Sequence, residues 1–149
     1  MPKITPFCGL LLSALPLLGH AQENAAQALP RTASPDGAIT YFLSPASGAT
    51  VTSPFTVRFG LRGMGVAPAG VTSPSTGHHH LLIDVVTLPP DNLPLPNDAS
   101  HRHFGLGQTE VELTLPPGQH TLQLVLGDAL HIPHEPPVRS ERITITVAP

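Results

Sequence analysis

"TEVELTLPPGQHTLQLVLGD", residues 109–128, decides the fold. Before its prolines, Val111, Leu113 and Leu115 alternate with Glu110, Glu112 and Thr114. After them, Leu122, Leu124 and Leu126 share one parity, with Thr121 and Gln123 on the other. A period of two belongs to a strand that buries one face. Pro116-Pro117-Gly118 between the runs is turn chemistry. The stretch predicts a hairpin joining the fifth and sixth strands of an immunoglobulin-like domain.

The flanking sequence repeats the pattern. "TYFLS" (40–44) is a first strand. "FTVRFGL" (55–61) puts Phe55, Val57, Phe59 and Leu61 inward, with Thr56 and Arg58 outward. "HHLLIDVV" (79–86) is almost continuously apolar, as expected of a central strand covered on both faces. Residues 87–100 would hold a short C′ or D strand, and "SERITITV" (140–147) closes the chain with Ile143, Ile145 and Val147 inward. Arg58 and Glu112 are expected to pair across adjacent strands. The prediction is an all-β, immunoglobulin-like antiparallel sandwich of about seven strands. No helix or internal repeat is indicated.

The chain has 149 residues, enough for one domain with one core. Lys3, the apolar run from Phe7 to Leu18, and Gly19-His20-Ala21 form an export signal, so residues 1–21 are expected to be cleaved. Residues 22–37 read as a flexible leader and 38–149 as the domain. The expected location is periplasmic or secreted, with no membrane span after cleavage. The single cysteine, Cys8, lies within the signal, which excludes disulfides, thiolate metal sites and a cysteine nucleophile from the mature chain. A net charge of −3 argues against a nucleic-acid partner. The absence of tryptophan weakens readings that need aromatic stacking platforms.

Histidine is the enriched chemical group: eight of the nine lie between positions 78 and 134. In an immunoglobulin-like sandwich the B–C loop, the connection into strand E and the F–G loop share one end. His78, His79 and His80 would close the first, His101 and His103 precede the E strand, and His131 and His134 sit in the F–G loop. All three groups should converge, and His120, after the E–F turn, should lie at the opposite end. Residues i and i+2 on a strand point the same way, which pairs His78 with His80 and opposes His79. The expected metal ligands are therefore His78, His80, His101, His103, His131 and His134. Imidazole suits zinc and copper(II), whereas copper(I) prefers sulfur, which Met64 alone supplies poorly. Asp98, Asp128 and Glu135 are candidates to orient the imidazoles. A hydrogen-bond network that merely fixes loops is the competing reading. His79 and His120 read as structural.

With these segments placed, the chain resembles the domain of unknown function 4399 family, small secreted bacterial proteins. The matching stretches are "SPASGATVTSPFTVRFGLRGMGVAPAG", "TGHHHLLID", "HRHFGLGQTE", "LPPGQHTLQLVLGD" and "HIPHEPPVRSERITITV", spanning roughly residues 44–147. The resemblance implies a small β domain exported in Gram-negative bacteria, and no established activity. Its histidine motifs fall on His78, His79, His80, His101, His103, His131 and His134.

Three functions compete. The first is a non-catalytic module binding a divalent metal, copper(II) or zinc. The second is a cupin- or dismutase-like metalloenzyme. The third is a metal-independent interaction domain for an unidentified envelope protein. The sequence favours the first. The spacing from His103 to Glu110 is too long for a cupin motif, and a dismutase would want the disulfide this chain cannot make. No Ser-His-Asp or paired-carboxylate pattern commends hydrolysis.

Overall fold

The computed structural model describes residues 29–149. The expected signal peptide and the first part of the expected leader lie outside the described residues.

Nine strands form among the described residues: β1 (Ile39–Ser44), β2 (Thr50–Val51), β3 (Phe55–Arg62), β4 (Gly65–Val66), β5 (Thr76–Ile83), β6 (His101–His103), β7 (Glu110–Leu113), β8 (Gly118–Gly127) and β9 (Ile143–Val147). One sheet has the order β1-β3-β7. The other runs β2-β9-β8-β5-β4, with β6 also paired to β5. Strands A, B and E of the predicted sandwich are thus β1, β3 and β7, and C, F and G are β5, β8 and β9. The main ladders are antiparallel. Two short parallel ladders, β2 on β9 and β4 on β5, extend the larger sheet.

Most inward residues are ones the alternation marks, although Leu61 is only half-buried and joins no core cluster. Phe55, Val57 and Phe59 of β3 and Leu113 of β7 meet Leu81 and Ile83 of β5, Leu122 and Leu124 of β8, and Ile143, Ile145 and Val147 of β9. Leu82 and Val125 face outward from the larger sheet, yet they are buried, because Leu95 of the 87–100 loop covers them. That cover seals β5 on both faces, with every residue from Gly77 to Ile83 buried, but the strand ends at Ile83 rather than Val86, which is exposed. The outer face of β5 is therefore dry enough to hold side chains away from water.

Four local expectations change. β7 and β8 do not pair, so Pro116–Gly118 carries the chain from one sheet to the other rather than closing a hairpin. Periodicity reports a buried face and not the strand's partner. Strand C begins at Thr76, which places all three histidines inside it. The C′ strand is β6, made of the second histidine motif itself, and 87–100 is the covering loop. Arg58 pairs with Glu110 at 3.0 Å, because the register sets Glu112 opposite Thr56. Both members are more than half exposed, so the pair adds little stability.

The end of the segment expected to be a flexible leader is fastened to the F–G loop. Ser34 N–H donates to the Glu135 carbonyl at 2.9 Å, and Thr32 Oγ1 donates to Asp128 at 2.7 Å. Arg31 Nε donates to the Pro133 carbonyl at 3.0 Å and its guanidinium pairs with Glu135.

Candidate metal centre

Strand parity splits the triplet. His79 points into the core beside Phe59, with ring centres 5.3 Å apart. Thr40 Oγ1 donates its proton to the Gly60 carbonyl at 3.0 Å, so it must accept from His79 Nδ1, 3.2 Å away. His79 Nε2 is then left as a buried acceptor without a partner. His78 and His80 point to the opposite, outer face.

Two further elements bring imidazoles to that face. β6 pairs with β5 so that His103 sits directly opposite His80. The F–G loop turns back where the Asp128 carboxylate accepts the Leu130 and Ile132 N–H groups at 2.9 and 3.0 Å. His131, which closes that turn with its N–H on the Asp128 carbonyl at 2.9 Å, has φ 66, a left-handed conformation uncommon outside glycine. Leu95 N–H donates to the His131 carbonyl at 2.8 Å and ties the loop to the 87–100 cover.

His78, His80, His103 and His131 each offer one ring nitrogen, and these four nitrogens lie within 4.8 Å of one another. His78 Nε2 and His131 Nδ1 are 3.0 Å apart, one donating to the other. His78 Nδ1, His80 Nδ1 and His103 Nε2 are buried with no partner among the described residues. Leaving such a group unpaired costs about 1–3 kcal/mol, so three in one place require an explanation.

Burial favours the neutral form of His78, His80 and His103. It pushes His80 down to about 2, with repulsion from His78, His103 and His131 adding to the effect. It pushes His78 down to about 4, with His103 and His131 next in importance and Asp128 opposing. His103 is lowered by burial and then by His131. Neutral imidazole is the form that ligates metal.

The remaining histidines have other partners. His101 Nδ1 meets Asp98 at 2.9 Å. His134 is fully buried, with Nε2 3.2 Å from the Thr76 carbonyl and Nδ1 3.4 Å from that of Leu126. Both stand outside the four-imidazole cluster. His120 sits at the Ile83 end of β5, donating to Asp84 at 2.7 Å and to the Pro116 carbonyl at 2.9 Å, and the Asp84 carboxylate raises its pKa. Asp98, Asp128 and Glu135 make no hydrogen bond to a cluster imidazole among those described; Asp128 acts on His78 through its charge alone.

Two glycines complete the site, and the sequence reading missed them. A Cβ on Gly105 would lie 2.2 Å from His103 Cε1, and one on Gly127 would lie 2.7 Å from His80 Cε1. Neither glycine has positive φ, so space demands their smallness, the imidazoles first and then Ala69 Cβ beside Gly105 and His131 Cα beside Gly127, each at 3.3 Å. The signal was present as a glycine two residues after His103 and another ending the β8 alternation. Gly105→Ala should leave the metal-free melting temperature within a few degrees, since a ring tip can yield. The displaced His103 should weaken metal affinity at least about tenfold, roughly 1.4 kcal/mol. Isothermal titration calorimetry of the two proteins checks this; equal affinities would remove His103 from the site.

A family model described as "Domain of unknown function (DUF4399)" matches residues 57–148. No curated protein matches the chain. Among solved structures, fibronectin(III)-like modules of Clostridium thermocellum CbhA are similar at 12% identity and a TM-score of 0.37, over 74% of this chain and 96% of that one.

Proposed function

The chain belongs to the DUF4399 family, which carries no activity with it, and from its histidine cluster we propose a non-catalytic module that binds a divalent transition metal, zinc or copper(II), through His78, His80, His103 and His131. The observation that carries this reading is the convergence of four imidazoles from three separate chain segments with three buried, unpartnered nitrogens. A hydrogen-bond network that served only to hold loops would pair those nitrogens, as it pairs His101, His120 and His134. A metal ion would take one nitrogen from each of the four rings.

The apolar N-terminal run and the confinement of the cysteine to it support export to the periplasm or beyond. There the module would carry, buffer or report a metal. Metal analysis of the untagged protein, recovered from the periplasm and mass-measured, tests both parts. Equimolar zinc or copper on a chain starting at Gln22 is the expected result. Metal-free protein that takes up neither ion on titration would leave a metal-independent envelope interaction domain as the better reading.

A further inference from the structure

On the footing that the cluster binds metal at all, we propose that it is a closed tetrahedral site for zinc(II), with His78, His80, His103 and His131 filling every coordination position. The ring-to-ring distances carry the argument. An imidazole nitrogen at about 2.0 Å from zinc puts its ring centre about 3.2 Å from the ion, so a tetrahedron sets the four ring centres about 5.2 Å apart in all six pairs. A square plane of the kind copper(II) and nickel(II) prefer would give four separations of about 4.5 Å and two diagonals of about 6.4 Å.

The observed separations are 4.8 Å for His78–His80, 5.0 Å for His78–His103, 5.0 Å for His78–His131, 5.1 Å for His80–His103, 5.9 Å for His80–His131 and 4.7 Å for His103–His131. Only His80–His131 is long. Were it a diagonal of a square, His78–His103 would be the other diagonal, yet those rings are 5.0 Å apart. The arrangement is a slightly stretched tetrahedron.

The scaffold resists flattening. His78 and His80 lie on a strand paired with β8 along one edge and with β4 and β6 along the other. His103 is fixed opposite His80 by the β5–β6 ladder. Only His131 sits on a loop, and its carbonyl is held by Leu95. A square would need β6 to slide along β5. Zinc(II), which has no electronic preference for a square, accepts the cage as built. Four protein ligands leave no position for a reactive water, so the site stores or exchanges metal rather than hydrolysing at it.

Cobalt(II) is the probe, because its tetrahedral complexes absorb visible light intensely and its octahedral ones weakly. Titration of the chelator-stripped protein should give intense bands that saturate at equimolar cobalt and are bleached by equimolar zinc(II). Added azide should leave the wild-type spectrum unchanged and alter that of His131→Ala, which opens one position. Weak octahedral bands at full cobalt occupancy, or a wild-type spectrum that azide changes, would overturn the closed tetrahedron and leave metal binding intact. Failure to bind cobalt, zinc or copper(II) would overturn both.

Discussion

Stripped of metal, the domain is expected to lose much of its stability on mild acidification. His78 and His79 are held at about 4 and His80 at about 2, against an ordinary value of 6.5. The folded domain therefore binds fewer protons than the unfolded chain below 6.5, and stability falls with pH. The contribution of these groups is complete above 6.5 and is lost as pH drops towards the folded values. A tenfold difference in proton affinity between the folded and unfolded chain is worth about 1.4 kcal/mol, so His79 alone costs on the order of 3 kcal/mol by about pH 4. His78 and His80 add to that loss, against a typical total stability of about 5–15 kcal/mol. His120 works in the opposite sense. Its raised value gives stability that is complete below 6.5 and lost as pH rises through the folded value, so it offsets only the first part of the decline. Circular-dichroism melting curves of chelated protein at about pH 7.5, 6 and 5 should show the midpoint falling by tens of degrees. His79→Leu should fall less steeply, because it keeps the volume and removes one titrating group. A melting temperature that is flat across that range would mean the rings are hydrated and charged rather than buried and neutral.

The sequence made the two-layer architecture legible because alternation reports directly which face of a strand is buried. Parity alone separated His79 from His78 and His80, and the structure keeps that separation. Strand starts were less legible. Thr76-Gly77 looks like turn chemistry, yet Gly77 is a strand residue. A Cβ there would lie 2.7 Å from the Gly127 carbonyl oxygen, so the glycine permits close strand approach rather than a turn. The choice between His101 and His103 could not be read either. They share one parity, and which of them meets the cluster depends on the register that sets His103 against His80 and His101 against Leu82. In the F–G loop, the choice of His131 over His134 follows from the turn around Asp128 and from a left-handed residue, neither of which has a periodic signature.

These placements decide which substitutions should abolish metal-dependent stabilisation, the second large effect expected. A ligand that binds only the folded state stabilises it by about 2.7 kcal/mol at 100 times its dissociation constant. For a domain of this size that is on the order of 10 °C in melting temperature. The zinc-dependent shift near pH 7.5 should vanish in the double variant His103→Asn/His131→Asn. Both residues are only partly buried, so the metal-free fold should survive the change. His101→Asn should retain the full shift, because its imidazole is engaged with Asp98 outside the cluster. His134→Asn should lower the metal-free melting temperature, since that ring is fully buried between the Thr76 and Leu126 carbonyls, and still respond to zinc by about the same interval. The three variants therefore separate ligands from neighbours that share the same sequence motifs. A zinc shift that persists in the double variant, or is lost in His101→Asn, would place the metal somewhere other than between β5, β6 and the F–G turn. The ring geometry that selects a tetrahedral ion would then have no bearing on function.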